Sequence, residues 1–475
     1  MKHRSHHHSL PGRRRTLHVA LALIGGLLLL LPASAAAAPN VLAGSARMIF
    51  DWAATPSWAV SVGGPGPSND EAVDVKMAGG GVTYVAGTMG NPAGHDDVSL
   101  LKLVNGVQAW GSPKTYDSPF HHDDFAAKMA LGPGKVIYTA ASSNGSQGNY
   151  DILLVKWSAN GTVLWARRYD GPAHSHDIAT AVGVDSKGNV TVVGHSEGPH
   201  GHDWVAVNWS AAGVRRWSWR YDGKGHADDY PADLLVAGDG SVYLTGSTFV
   251  APMTYAALTV RLSPVGKRLW AKTYAGPEGL GAGGAALASR PGGGVYVCGF
   301  VHSSATGSDG LVMRYGRSGS RSVFALDTVA GPSDQWFRDV AVASSGRVVA
   351  VGESRASGTM DCHVVVYRTG GTIAGSLTVP GAWDDEFTAV ATDSFGGYYA
   401  TGTQHVAADH AEIFTARGSV LTGGGGWISL WDAPVVSVNN HPMAIAVRGT
   451  SACVVGAFET GGPAAIDQIV LGYVY

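Results

Sequence analysis

The chain contains few cysteines, few charged residues and no helical hydrophobic pattern. Three cysteines among 475 residues, Cys298, Cys362 and Cys453, form an odd and sparse set that excludes a disulfide scaffold. We expect Cys298 and Cys453, which stand in apolar runs, to be buried small hydrophobic residues. No segment keeps a period of 3.6 residues long enough to be a helix. The sequence therefore predicts an all-β fold.

The first forty residues carry the pattern of an export signal. Basic residues at 13–15 precede an apolar run over 17–31, and small residues follow at 32–38. The strongly apolar core of about thirteen residues is shorter than the roughly 20 that a spanning helix needs. We predict that residues 1–38 are a signal peptide that is removed. The mature chain would then be secreted or held at the cell surface without a stable membrane span, by either the general or the twin-arginine route.

Removal of this leader makes the protein acidic. Five basic residues and no acid precede residue 39, so lysine plus arginine falls from 33 to 28 against 36 acids, a net charge near −8. This charge excludes nucleic acid as a partner, because its backbone requires a positive face. The histidines at 6–8 are lost with the leader and indicate no metal site.

A unit of about 53 residues recurs along the rest of the chain. A small residue follows the same apolar run at intervals of 50 to 54 residues: Gly87, Ala140, Gly194, Gly246, Gly299, Gly352, Gly402 and Gly456. An aromatic residue opens most units: Trp58, Trp110, Trp165, Trp217, Trp270, Phe324 and Trp427, with Leu377 in the weakest. We expect these aromatics to pack between neighbouring units, because they recur at one position. Such regular self-similarity is the signature of a repeat architecture.

Each unit divides into four short apolar or alternating runs separated by turn residues. Asp185-Ser-Lys-Gly-Asn189 and Gly238-Asp-Gly240 are turn sequences, since glycine and asparagine tolerate positive φ. Four strands per unit predict a single β-propeller of eight four-stranded blades over residues 39–475. Departures at 279–284 and at Leu377 leave seven blades as the alternative.

The ends of the repeat region suggest how the ring closes. Residues 47–52 resemble the fourth run of a unit and look like a spare strand ahead of the first complete one. The last unit ends on residues 469–475, which we interpret as its own fourth strand. We expect the spare strand to clasp the ring where the termini meet, since an open ring would expose sheet edges.

The repeat resembles the bacterial secreted β-propeller repeat family. The units of that family share a strand, an Asp-Gly-Asn-type turn, and a strand ending in Val-Thr-Gly. Asp185–Gly194 follows this layout and ends in Val-Val-Gly, and the resemblance covers nearly all of residues 46–475. It implies an exported or surface-displayed protein. The family supplies no catalytic residues to transfer.

Histidine and aspartate recur together in three consecutive units. His precedes Asp by three residues in His121…Asp124, His174…Asp177 and His226…Asp229. Imidazole and carboxylate groups can ligate a divalent metal, and no other cofactor is indicated. The alternative is that the histidines are loop residues and the aspartates cap turns, because an Asp side chain accepts nearby backbone N–H groups.

Four further residues are candidates for ligand binding. His195 and Glu353 directly follow the aligned glycine, where other units carry Thr, Ser, Ala or Phe, and an ionisable residue that breaks a repeat marks a grafted site. Trp204 and Trp336 stand outside the position of the opening aromatics. We therefore expect exposed contacts from these two tryptophans.

Two classes of function remain open from the sequence. The first is a non-enzymatic binding or surface-interaction module for an extracellular ligand, either a glycan, a peptide or protein, or a cell-envelope component, acting as a monomer. The alternative is a propeller enzyme, a metal-assisted hydrolase or a lyase, with its site in the histidine-rich blades two to four. A serine hydrolase is excluded, because no Gly-x-Ser-x-Gly elbow links a strand to a helix.

Overall fold

The protein is a closed ring of eight antiparallel sheets, an eight-bladed β-propeller. The computed structural model describes residues 52–251, 254–328, 333–355, 358–407, 410–420, 426–432, 440–459 and 466–474. The eight-bladed prediction is confirmed, and the seven-bladed alternative is wrong. The predicted signal peptide at 1–38 and most of the spare strand at 47–52 lie outside the described residues, so the signal peptide stays a prediction.

Each blade contains four strands, which we number from the central channel outward, and the blades are numbered 1 to 8 along the chain. The first strands are Glu71–Gly79, Asp124–Leu131, Asp177–Val184, Tyr230–Val236, Ala282–Ser289, Gln335–Val342, Glu386–Thr392 and Asn440–Arg448. The second strands are Val82–Gly90, Ile137–Asn144, Val190–Gly198, Val242–Ala251, Val295–Ser303, Val348–Ser354, Gly397–Ala407 and Ser451–Glu459. The third strands are Asp96–Val104, Tyr150–Trp157, Gly201–Trp209, Thr254–Leu262, Gly307–Tyr315, Asp361–Tyr367, His410–Ser419 and Ile466–Val474.

The fourth strands form the rim of the ring. They are Val107–Gln108 with Lys114–Tyr116 in blade 1, then Val163–Tyr169, Arg215–Tyr221, Arg268–Tyr274, Arg321–Asp327, Ile373–Val379, Trp427–Trp431 and, in blade 8, Trp58–Val62. One short 3-10 turn, Pro133–Lys135, and a two-residue strand, Trp52–Ala53, complete the described elements. Among the residues that the structure describes, no helix is long and apolar enough to cross a membrane.

The aligned glycines are required by a bulge in the first strand. In every blade the pairing of the first and second strands shifts by one residue at the same place, and the bulged residues are Val73, Ala127, Thr180, Ala232, Ala285, Arg338, Thr388 and Met443. The bulge brings the first strand's backbone against the second. A Cβ on Gly194 would lie 2.0 Å from the carbonyl oxygen of Ile178. In blade 2 the equivalent residue is Ala141, paired with Ala126, rather than Ala140 as predicted from the sequence.

The opening aromatics belong to the fourth strands, except Trp110, which lies between the two short fourth strands of blade 1, and they join neighbouring blades. The indole N–H of Trp165 donates to the carbonyl oxygen of Ala211 in the next blade at 3.2 Å. Trp270 donates in the same way to Arg317 at 2.9 Å. Six of the rings also lie against a hairpin glycine of the next blade, as Trp217 lies against Gly266. The predicted packing role is confirmed, and the cysteines are free and buried as expected for Cys298 and Cys453.

Ring closure differs from the sequence-based prediction. The C-terminal strand Ile466–Val474 is the third strand of blade 8, not the fourth, and Trp58–Val62 pairs antiparallel with it as the fourth. The clasp is therefore the first aromatic run, which the repeat pattern had assigned to the start of unit one. Trp52–Ala53 adds a parallel fifth strand to the rim of blade 7, beside Trp427–Trp431. A repeat unit in the sequence is thus offset from a blade by one strand.

Replacing Gly472 by alanine tests this closure. The added carbon would lie 1.9 Å from Cε2 of Trp58, so the closing strand must shift. We expect the free energy of unfolding to fall by about 1–3 kcal/mol, the usual range for overpacking. The urea midpoint of the purified protein measures this change.

The matched control is Gly370→Ala, whose added carbon meets nothing within 4 Å. It should change stability by no more than about 0.5 kcal/mol. The double variant Trp58→Ala/Gly472→Ala should lose less free energy of unfolding than the two single variants lose together, because removing the Trp58 ring also removes the clash. An unchanged midpoint for Gly472→Ala alone would contradict the clasp.

Candidate functional site

One face of the ring carries most of the residues that depart from the repeat. This mouth face is the face at which the first strands begin and the second strands end. The residue after the aligned glycine lies there in every blade, and it is His195 in blade 3, Phe300 in blade 5 and Glu353 in blade 6. Substitutions at this position therefore change the mouth face without disturbing the blades.

Four overlapping cavities form a continuous groove along the mouth face from blade 4 to blade 1. The first, about 310 Å³, includes Phe300 and His302, which also line the second, of about 550 Å³. The second reaches Trp336 and Arg338, which line the third, of about 360 Å³. The third shares its lining residues Glu386, Thr403 and His441 with the fourth, of about 310 Å³. The groove ends at Asn69 and Glu71 in blade 1.

The aromatic arm of the groove crosses blades 4 to 6. Tyr230 and Tyr255 expose more than a third of their surface at one end. Phe300 lies next, and its ring centroid is 5.1 Å from that of His302 and 6.4 Å from that of Trp336. The aromatic rings follow one another along the groove, so this arm offers a row of apolar faces.

The charged arm begins where Trp336 ends. The Arg338 guanidinium donates to Glu353 at 2.6 Å and lies 3.3 Å from Glu386. Glu353 is only 6% exposed, and this burial raises its pKa to about 7; Arg338 lowers the pKa and the Glu386 charge raises it further. The arm continues to His441, whose pKa is lowered by burial. A carboxyl group that titrates near neutral pH thus sits at the junction of the two arms.

Sequence reasoning identified Glu353 but missed Arg338 and Glu386. Arg338 occupies the bulge of its first strand, and of the eight bulged residues it alone is charged. The bulge aims the side chain at the neighbouring strand, where Glu353 pairs with Trp336 across the ladder. The signal that could have found Arg338 is this break in a position that is otherwise small, apolar or hydroxylic.

His195 lies in a different part of the mouth face from Glu353. Its ring centroid is 4.9 Å from that of His202 and 5.2 Å from that of Tyr230. Burial, reinforced by His202, lowers its pKa to about 4, so the imidazole is neutral at neutral pH. Tyr230 lines the groove, and His195 therefore extends the aromatic arm rather than cooperating with Glu353.

The two candidate tryptophans have different environments. Trp336 lines the groove as the second residue of its first strand. Trp204 is 0% exposed, and its indole N–H donates to the carbonyl oxygen of Ser247 in the next blade at 3.2 Å. The expectation of an exposed contact at Trp204 is wrong, because the third strand is covered by blades on both faces.

The histidine–aspartate motifs lie at the junctions between blades 1 and 2, 2 and 3, and 3 and 4. Each histidine pairs through Nδ1 with the aspartate four residues before it: His121 with Asp117 at 2.6 Å, His174 with Asp170 at 2.7 Å, and His226 with Asp222 at 2.7 Å. This hydrogen bond raises the pKa of His121 and of His174. The three histidines have different partners, so each junction is a separate local arrangement.

The predicted partners of these histidines have another role. Asp124, Asp177 and Asp229 accept the backbone N–H of Ser118, Gly171 and Gly223, at 2.7, 2.5 and 2.6 Å, and so hold the loop that enters each blade. Around each of them three carboxylates converge within 4.8 Å: Asp97, Asp117 and Asp124; Asp151, Asp170 and Asp177; and Asp203, Asp222 and Asp229. Oxygen atoms, not imidazole nitrogens, dominate these junctions.

The pKa of Glu353 predicts a measurable pH dependence of stability. The unfolded side chain has a pKa near 4.5 and the folded one near 7, so the folded state binds the extra proton between these values. Its contribution to the free energy of unfolding therefore decreases as pH rises from about 5 to about 8. We expect Glu353→Gln to reduce the difference between the urea midpoints at pH 5 and pH 8.

The control is Glu278→Gln, since Glu278 is exposed on a loop and its pKa is lowered by hydrogen bonds from Ser304. This variant should keep the wild-type pH slope between pH 5 and pH 8. Equal slopes for wild type and Glu353→Gln would contradict the raised pKa.

Comparison with known proteins supports the fold and does not select a function. No family model and no curated protein matches the chain. Sqt1 from Chaetomium thermophilum is 11% identical, with a TM-score of 0.54 over 86% of this chain and 97% of that chain. A protein of unknown function from Dyadobacter fermentans is also 11% identical (TM-score 0.41, 88% and 99%), and the β-propeller domain of the Trilobed protease from Pyrococcus furiosus is 10% identical (0.42, 73% and 95%). The chain is similar to propellers at identities that establish the architecture alone.

Proposed function

We propose that the protein is an exported, non-enzymatic binding module that holds an extended glycan in the mouth-face groove. The observation that carries this proposal is the continuity of the groove from Tyr230 in blade 4 to Glu71 in blade 1. A groove of linked cavities suits a chain of similar units better than one compact ligand. Export rests on the leader at 1–38 and on the acidic charge expected after its removal.

The chemistry of the two arms favours a glycan. Sugar rings present apolar C–H faces to aromatic side chains, and their hydroxyl groups bond to carboxylates, guanidinium and imidazole groups. Phe300 and Trp336 supply the first kind of surface, and Arg338, Glu386 and His441 supply the second. Binding sites combine apolar and aromatic walls with a few polar groups in this way.

A peptide added as an extra strand fits the groove less well. Strand addition requires a ligand to run along a free sheet edge, and the two edge strands of a blade are its first and its fourth. The groove instead passes from blade to blade and touches only the beginnings of first strands and the ends of second strands, so a peptide lying in it could not follow one edge strand. A peptide ligand would have to rely on side-chain contacts alone.

Glu353 supports a second candidate function, a polymer-degrading enzyme with acid–base chemistry. A carboxyl group with a pKa of about 7 is matched to proton transfer at neutral pH. Arg338 contacts both Glu353 and Glu386, so a second carboxyl group and a cation stand beside the first. This candidate would act through blades 6 and 7 rather than the histidine-rich blades two to four.

Aromatic substitutions in the groove test the binding proposal. The purified protein is titrated by calorimetry with soluble hexamers of neutral sugars, N-acetylated amino sugars and uronic acids. For whichever hexamer binds, we expect Trp336→Ala and Phe300→Ala each to weaken the affinity about 10-fold, equivalent to about 1.4 kcal/mol. Phe395→Ala is the matched control, because Phe395 is an exposed aromatic in the hairpin at the opposite end of blade 7.

Equal loss in the Phe395 variant, or binding of a peptide library with no binding of any hexamer, would contradict the glycan proposal. The enzyme candidate predicts in addition that the hexamer is shortened on incubation. Glu353→Gln should then abolish shortening while binding persists, and an intact hexamer after long incubation excludes that candidate for the sugars tested.

A further inference from the structure

The three blade junctions with converging carboxylates share the same arrangement of aspartates, histidine and loop. The few positions at which they differ can therefore be compared directly. We call them triad 1 (Asp97, Asp117, Asp124), triad 2 (Asp151, Asp170, Asp177) and triad 3 (Asp203, Asp222, Asp229). In each the second aspartate directly follows the fourth strand, and the histidine four residues later bonds to it. The third aspartate begins the next first strand or, as Asp229 does, immediately precedes it. The same backbone N–H caps the third aspartate in all three.

Triads 2 and 3 contain their own cation. Arg168 bonds to Asp151 through Nε and to the carbonyl oxygen of Ser143. Arg220 bonds in the same way to Asp203 at 2.7 Å and to the carbonyl oxygen of Ser196 at 3.1 Å. Each guanidinium therefore neutralises one of the three carboxylates and fills the space beside it.

Triad 1 lacks this arginine. Thr115 stands at the position of Arg168 and Arg220, two residues before the second aspartate in each sequence. The first carboxylate, Asp97, accepts a hydrogen bond from the neutral amide of Asn91 at 3.0 Å instead. The side chain of His121 is 75% exposed and is charged only when protonated. His95 pairs with Asp123, outside the triad, at 3.5 Å. Arg168 reaches this junction through the hydroxyl of Ser143 and lies over the ring of Phe120, with Cζ 4.9 Å from the ring centroid, but bonds to none of the three carboxylates of triad 1.

Triad 1 also gains an oxygen atom that the other two do not have. Ser118 replaces Gly171 and Gly223, and its side chain is 1% exposed. Its hydroxyl lies close enough to Asp124 to lower the pKa of that carboxyl, yet Oγ makes no hydrogen bond of regular geometry. The same is true of Oδ1 of Asp124, a side chain that is 0% exposed, although Ser143 also stands nearby. Oδ1 of Asp177 in triad 2 also lacks a regular partner, so the feature particular to triad 1 is the buried, unpartnered hydroxyl of Ser118.

The electrostatics of triad 1 require a counter-charge. Asp97 and Asp124 are both buried. Ionised carboxylates whose oxygen atoms lie within 4.8 Å of one another repel, and burial reduces the screening by water. A buried charge is costly unless it is paired or coordinates a metal. The donors are all oxygen atoms, the set that hard cations such as Ca²⁺ prefer.

We propose that triad 1 is a site for a divalent hard cation of the calcium type, held by Asp97, Asp117 and Asp124 with the hydroxyl of Ser118. The arginine takes the place of the ion in triads 2 and 3. His121, bonded to Asp117, orients that ligand from outside the coordination sphere, as outer partners of metal ligands do. The proposal is independent of the groove on the mouth face.

Supplying the missing arginine is the direct test. The purified protein is stripped with chelator and titrated by calorimetry with Ca²⁺, with Mg²⁺ and Zn²⁺ as separate arms. We expect one Ca²⁺ per chain for wild type, none for Thr115→Arg, and one for the control Thr115→Ser. Thr115→Arg should keep the metal-free thermal midpoint of the wild type or exceed it, because the guanidinium supplies the charge. His121→Ala should weaken binding by about 10- to 100-fold.

The converse change keeps the test decisive if Thr115→Arg folds poorly. Arg168→Thr removes the cation from triad 2, and the stoichiometry should rise from one to two. Gly171 is kept, because a Cβ there would lie 2.6 Å from Oδ1 of Asp177. The proposal is overturned if wild type takes up no Ca²⁺. It is also overturned if Thr115→Arg binds like wild type, or if Zn²⁺ alone binds and His121→Ala abolishes that binding.

Discussion

The structure depends on the pairing of Trp58–Val62 with Ile466–Val474, because this single ladder closes the ring. Without it the last blade would lack its outer strand and the rim would present an open edge near the ends of the propeller. Closure also brings blade 8 against blade 1, where Glu459 and Ile466 meet Asn69 and Glu71 in one cavity. The end of the groove at blade 1 therefore exists only in the closed ring.

The backbone positions that recur in every blade lie next to positions whose side chains vary and can carry function. The bulge in each first strand and the glycine opposite it are requirements of the backbone, and they recur in all blades except that Ala141 replaces the glycine in blade 2. The residues directly beside them point to the mouth face and are free to vary. Arg338 at a bulge and Glu353 after a glycine meet there at 2.6 Å. The blade backbone fixes where these two side chains lie, and the charged residues at the two positions form the ion pair of the groove.

The blade junctions also combine a repeated structural position with substitutions beside it, and here the substitutions change the local charge. A carboxylate that caps the loop before a blade is structural, because its acceptors hold backbone N–H groups in place. Two further carboxylates beside it add electrostatic repulsion. Arg168 in triad 2 and Arg220 in triad 3 compensate for this repulsion. At triad 1, Thr115 and Ser118 replace the arginine and the glycine of the other junctions, and we propose that a metal cation balances the carboxylates there. The departure from the repeat is more informative than the motif itself.

The sequence by itself determined the class of fold and the packing role of the recurring aromatics and favoured eight blades over seven, because these follow from a repeat with intervals of 50 to 54 residues. It also marked Glu353, Trp336 and His195 as departures. It could not assign Trp58 to the last blade, since strand partners far apart in sequence leave no local signal. It likewise could not show that Trp204 is covered by blades on both faces or that Arg338 reaches Glu353 and Glu386. Those outcomes depend on how neighbouring sheets stack around the ring, and only the tertiary structure decided them.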